Sequence, residues 1–520
     1  MAETGFRKII ITFTVITAAI IELIDTSIVN VALSDMSGNL GATLEDVAWV
    51  VTSYAIANVI IIPMTSFLAA RLGRRNYYIG SILLFTAASV ACGQAHNIWE
   101  LVAFRFVQGI GGGALLSTSQ AILFETYSVA QRGFAAAIFG VGVFVGPTIG
   151  PTLGGWIIDT YSWRWIFYIN VPIGLLAALL SYAYVKEPAQ ARSAEHIDWA
   201  GIGLLVAGLA SLQTVLERGE TEDWFSTRYI VVLAAVAAVS LLAFIAWELA
   251  SDHPVVDLRV LRSRTLATAA VLTFVLGFAL FSTVFIVPVF AQRLLNYTAM
   301  QTGMLFLPGA GVAVCVLPLI GRMIVKGVPM QYMVVAGFLI VAAFAFMLSR
   351  LNLNTGAHDF FWPIILRAIG LSLVTVPLTQ LAVSGLPPRD IPQGVALNNM
   401  MRQLGGSFGI AFINTFLDHR MAVHRLNLVT RLAAGSPETA GRLALLTRGM
   451  LAHGSTPWEA SRQALGALEG MVQRQASLLS YLDAYQLVAA IAVGCVPLIL
   501  LAGRPRRAGR PALAAAAESH

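Results

Sequence analysis

Charge is scarce in this sequence. Asp, Glu, Lys and Arg make up 12% of it against 57% apolar residues, where a soluble globular chain carries about 25% charged residues. Water is therefore excluded as the main solvent. Lysine is nearly absent, with only Lys8, Lys186 and Lys326 among 33 basic residues. A phosphate-binding loop needs Gly-Lys-Ser or Gly-Lys-Thr, and no Lys here follows Gly, so ATP does not drive the protein directly. The arginines are scattered in short loops without interleaved aromatics, which argues against a nucleic-acid surface despite the net charge of +6. Cys92, Cys315 and Cys495 lie far apart inside apolar blocks, giving neither a disulfide framework nor metal-ligand spacing. No His falls mid-span, and no Ser-His-Asp or His-Glu-x-x-His pattern occurs. An enzyme, a metal and a cofactor are accordingly not expected.

What is present is a series of apolar blocks of roughly 20 residues, the length a helix needs to cross about 30 Å of hydrocarbon. Spans are expected near 8–33, 47–69, 77–95, 99–124, 133–158, 164–185, 198–217 and 228–248. The rest lie near 266–290, 301–321, 330–349, 360–384, 392–417 and 482–502, an all-α integral membrane fold of fourteen helices. Arg7 and Lys8 precede the first block as in a secretory signal, but no small-residue cleavage pattern follows and the block runs on through Glu22 and Asp25. Basic residues fix the sidedness. Arg71, Arg74, Arg75, Arg132, Lys186, Arg192, Arg259, Arg262, Arg264, Arg322, Lys326, Arg389, Arg504, Arg506, Arg507 and Arg510 join Arg7 and Lys8 on one face, against Arg164, Arg218, Arg228, Arg293 and Arg350 on the other. Both termini are therefore expected to be cytoplasmic. The outside segment 418–481 is too polar to span, and Ser436-Pro437-Glu438 and Thr456-Pro457-Trp458-Glu459 predict helix starts within it.

A charged side chain at bilayer depth costs at least about 2.5–3.5 kcal/mol, so buried charges mark pathways or partners. Five qualify: Glu22 and Asp25 in the first helix, Arg105 in the fourth, Arg367 in the twelfth and Arg402 in the thirteenth. Glu22 and Asp25 are spaced i, i+3 and repel, which suits proton exchange. Asp25 is read as the principal proton carrier. Arg105, with Gln108 one turn later, is the expected partner of the first-helix acids. Arg367 and Arg402 meet anionic substrates or backbone carbonyls. Aromatics such as Tyr54 are candidates to line a cavity. Gly109-Ile110-Gly111-Gly112-Gly113-Ala114 lies inside a helix rather than after a strand, so it reads as close helix packing. The fifth helix carries Gly140, Gly142, Gly146, Pro147, Gly150, Pro151, Gly154 and Gly155, breakers tolerated where neighbouring helices enclose the backbone, and reads as a gating element.

These residues resemble the major facilitator superfamily, in particular its fourteen-helix drug:proton antiporters of the EmrB/QacA type. The resemblance is carried by Leu23 to Leu33 in the first helix, by Arg105 to Gly113, by Gly146 to Gly155, and by Trp163-Arg164-Trp165-Ile166-Phe167-Tyr168-Ile169-Asn170-Val171-Pro172-Ile173-Gly174. Leu68 to Arg75, with Arg71, Gly73 and Arg74, resembles the superfamily's cytoplasmic gate motif, but Ala70 stands where an Asp is usual. The resemblance implies two six-helix bundles, 1–190 and 263–520, with two inserted helices at 191–262. It implies a midplane cavity open alternately to each side, to which Asn30, Tyr54, Gln108, Arg367, Gln380, Asn398 and Arg402 are assigned. It also implies small drug-like substrates, a bacterial inner-membrane location, and a periplasmic adaptor with an outer-membrane channel of the TolC kind docking on 418–481. Export of one dedicated metabolite, such as a fatty acid, siderophore or antibiotic, is the competing expectation.

Overall fold

The protein is seen as a computed structural model that describes residues 5–128, 131–187, 197–432 and 436–501. The expected boundary at 190/191 and the residues Arg192, Arg504, Arg506, Arg507 and Arg510 lie outside them. Every long apolar block is a helix, because a helix satisfies all its backbone groups internally where no water can. The first group is α1 Phe6–Leu40, α2 Leu44–Leu72, α3 Arg74–Gln94, α4 Ile98–Thr126, α5 Arg132–Thr160, α6 Trp165–Tyr168 and α7 Asn170–Tyr184. A hairpin follows, α8 Trp199–Arg218 and α9 Arg228–Ala250. The second group is α10 Arg264–Leu295, α11 Ala299–Val325, α12 Met330–Leu348, α13 Ala357–Val383, α14 Ile391–Arg431, α15 Pro437–Ala452 and α16 Pro457–Leu501. Starts are capped locally: Asn97 accepts from the Glu100 amide at 2.9 Å, and Thr298 and Gln301 form a capping box.

Among the described residues thirteen helices, counting α6 and α7 as one, are long and apolar enough to cross a membrane. The fourteenth crossing is α14, which packs against α10, α16 and α2 but carries Asn398, Asn399, Arg402 and Gln403 in its first turns. Short connections make the spans alternate, so Phe6, Leu72 and Thr126 share one face, here the N-terminal face, and Leu40 and Gln94 the other.

In the first group α1 packs on α4, α5 and α7, and α4 on α2 and α3; in the second, α10 packs on α13 and α14, and α13 on α11 and α12. The groups meet through α5 against α11 and α13, and α14 against α2 and α4. The α8/α9 hairpin bridges them. It lies on α2, and Gln213 and Trp224 donate to Ser407 and Thr415 of α14, each at 2.9 Å.

With 41 and 45 residues, α14 and α16 are about 61 and 67 Å long, twice the hydrocarbon thickness of about 30 Å. Their outer ends protrude on the far face. Asp483 of α16 accepts from Arg420 Nε of α14 at 2.6 Å and contacts the His424 ring at 2.7 Å. Thr456 and Glu459 cap α16 reciprocally, at 3.1 and 3.4 Å, and the Thr456 hydroxyl, donating at 2.8 Å, together with the Thr456 amide holds the Glu459 carboxyl below its ordinary pKa.

Candidate functional site

Asp25 lies wholly buried where α1 meets α4 and α7. Its Oδ2 accepts from Arg105 Nη1 at 2.6 Å; its Oδ1 accepts from Gln108 at 2.9 Å and Asn170 at 2.7 Å. Arg105 and Gln108, spaced i, i+3, present one face of α4. Arg105 Nη1 also donates to Gln108 Oε1 at 2.7 Å, its Nε to the Val50 carbonyl at 3.3 Å, and its guanidinium lies over the Tyr54 ring at 4.2 Å. Gln108 in turn donates to Ser89 at 2.7 Å. Such an ion pair is stable in a low-dielectric interior when its donors and lone pairs are satisfied, and here both Asp25 oxygens and the Nε and Nη1 of Arg105 are.

Glu22, one turn earlier, points elsewhere. Its Oε1 accepts from Asn58 at 3.1 Å and from the Tyr54 hydroxyl at 3.4 Å, both on α2, while its buried Oε2 has no partner among the described residues. Across the group interface it interacts electrostatically with Arg402 of α14. Arg402 borders a cavity of about 20 Å³ with Gln120, Thr273, Asn398 and Asn399, room for one water. Thr273 donates to Asn398 at 2.8 Å, and Asn399 reaches across to Gln120 at 3.0 Å and Ser117 at 3.2 Å. The N-terminal half of the interface is thus packed shut.

The other assigned residues scatter. Arg367 is buried among α10, α11 and α13, its Nε donating to Thr283 at 3.1 Å. Gln380 is buried with an unpartnered Nε2. Asn30 is exposed and, among the described residues, bonds only the Thr26 carbonyl, at 3.3 Å.

At the gate motif, Arg71 ends α2 and Gly73 turns the chain at φ 84°. No acid is available at Ala70, and Glu187 takes the free end of α3, accepting from the Arg74 and Arg75 amides at 2.7 and 3.0 Å. Glu125 of α4 forms an ion pair with the Arg74 side chain. In α5, Gly146, Gly150 and Gly154 face Leu23, Ser27 and Ile28 of α1, and Pro147 lies between them. Sequence reasoning missed Asn58, Ser89, Glu125 and Glu187. It passed over Asn170, quoted only as part of a marker. Asn58 carried a signal: a carboxamide one turn after Tyr54 in an apolar helix.

This fold, two groups of six candidate spans and a hairpin of two more, with charge buried inside the groups, defines a polytopic transporter rather than an enzyme. The family model of the Major Facilitator Superfamily matches residues 15–410, and the chain belongs to that superfamily. It is 33% identical to the multidrug export protein EmrB of Escherichia coli K12 over 508 residues, 97% of each chain. It is 32% identical to the fatty acid resistance protein FarB of Neisseria gonorrhoeae over 496 residues, 95% of each. Among solved structures, the human organic anion transporter MFSD10 superposes with a TM-score of 0.56 at 12% identity, covering 93% of this chain and 99% of that one. A bacterial homologue of the lysosomal transporter Spinster gives 0.54 at 15%, covering 97% and 100%.

Proposed function

We propose that the protein is a drug:proton antiporter that exports amphipathic or hydrophobic compounds across the bacterial inner membrane by alternating access, with the N-terminal face cytoplasmic. The observation that carries this reading is the pair of buried acids with unequal surroundings. Both oxygens of Asp25 are occupied by Arg105, Gln108 and Asn170, whereas Oε2 of Glu22 accepts nothing. Glu22 is the group with room for a proton in this conformation. Asp25 exchanges its proton only when the two groups rock and Arg105 withdraws. Asn30, Tyr54, Gln380, Asn398 and Arg402 line the path of the substrate, and the α1/α5 seam lets the groups rock. One proton moving down 100 mV contributes about 2.3 kcal/mol, enough for more than tenfold concentration.

The protruding ends of α14 and α16 and the α15 between them, with exposed Leu426, Leu445, Trp458 and Leu465, support a docking surface for a periplasmic adaptor leading to a TolC-type channel. Similarity to FarB favours one second reading, export of a single metabolite such as a fatty acid. In proteoliposomes, Asp25→Asn is expected to abolish pH-driven export while equilibrium binding of substrate persists. Undiminished exchange by this variant rejects the assignment.

A further inference from the structure

Arg105 and Arg367 occupy matching places in the two helix groups. Each sits on the fourth spanning helix of its group, α4 or α13, bonds the first, α1 or α10, and lies over a ring of the second, α2 or α11. Arg105 bonds Asp25 and covers Tyr54 at 4.2 Å; Arg367 bonds Thr283 and covers Phe306 at 5.5 Å. Where the first group supplies an acid, the second supplies a hydroxyl. Arg367 is 7% exposed, and among the described residues no carboxylate interacts with it. Among the described residues its one hydrogen bond uses Nε, and the fork of its terminal nitrogens meets no protein acceptor. A guanidinium always carries its charge, and its planar fork matches a carboxylate.

We propose that Arg367, with Thr283, is an anion subsite that takes the carboxylate headgroup of an amphipathic substrate. This rests on the export reading and names a class of compound exported. The ligand's oxygens stand in for the Asp25 carboxylate of the other group; the Thr283 hydroxyl accepts from Arg367 Nε while giving its own proton to the Ala279 carbonyl at 2.8 Å, so it orients the guanidinium and leaves the terminal nitrogens as the donors to the ligand.

The test is a binding titration of the full chain in nanodiscs, with dodecanoate, dodecyltrimethylammonium and dodecanol as probes, in gluconate and in chloride. Thr283→Asp recreates within the protein the pair seen around Asp25, and Arg367→Gln removes the charge. Both are expected to weaken dodecanoate by at least roughly tenfold and to leave the other two probes unchanged, with Arg367→Lys recovering part of the affinity. Equal dodecanoate affinity in wild type and Thr283→Asp overturns the proposal. So does a parallel loss of all three probes, or chloride filling the site without competition from dodecanoate. No proton gradient is present in the titration, so failure of proton-driven export leaves its outcome untouched, and a negative titration leaves the antiport reading standing.

Discussion

The two helix groups treat the same kind of charge in opposite ways. In the first, Arg105 is closed into a network with Asp25, Gln108 and Asn170. In the second, Arg367 has a threonine and a phenylalanine ring in place of acid and tyrosine. One side holds a neutral pair and the other a bare cation, so the transport path is chemically lopsided within a repeated scaffold. The seams differ likewise. Between α5 and α1, glycines face side chains; between α10 and α14, Gly277 and Gly405 face backbone carbonyls.

Breaking the charges separately should expose the asymmetry most strongly. Arg105→Leu leaves Asp25 buried and unpaired and is expected to destabilise the protein by about 3–5 kcal/mol, whereas Arg367→Leu strands no acid and should be near neutral or stabilising. Unfolding in detergent with both variants side by side reads the difference, and equal losses would remove the basis of the contrast. The seams give a smaller effect. A Cβ at Gly154 meets Ile28 Cγ1 at 2.7 Å, a side-chain atom, while one at Gly409 meets both Ser282 Oγ at 2.7 Å and the fixed Phe278 carbonyl at 2.8 Å. Overpacking typically costs about 1–3 kcal/mol, and Gly409→Ala should fall higher in that range than Gly154→Ala, measured by melting temperature.

The smallest effect lies outside the membrane, where the hairpin tip meets α14. A hydrogen bond with Asp418, together with burial, raises the pKa of Glu220 from 4.5 to about 7. The protonated form is the one favoured in the folded state, so this contact is at full strength below about pH 4.5 and is lost as pH rises through 7. The melting temperature should therefore fall by about 1 °C between pH 5 and pH 8, and Glu220→Gln should flatten that slope.

Much of this was legible in the sequence for a definite reason. Long apolar runs have no soluble alternative, and Asp25, Glu22, Arg105, Arg367 and Arg402 stand out because charge within such runs is rare. Which charge meets which partner was less legible, because that depends on how each helix is rotated about its axis. Arg105 was expected near both acids and takes Asp25, whereas Glu22 turns to Asn58, Tyr54 and Arg402. The replacement of the missing acid at Ala70 by Glu187 could not be read from spacing, since the two are distant in sequence and meet only when α7 returns beside α3. The span near 392–417 extends to Arg431 because pairing to α16, Arg420 and His424 with Asp483 and Arg425 with Glu469, not apolarity, holds its outer turns.

The proposed coupling of export to a proton carried by Glu22, the acid with an oxygen unpartnered among the described residues, is tested most directly by counting protons. Dodecyltrimethylammonium added to the purified protein in weakly buffered solution, with a pH-sensitive dye present, should release protons from wild type and none from Glu22→Gln. Wild-type release from Glu22→Gln, at unchanged affinity, would contradict the account.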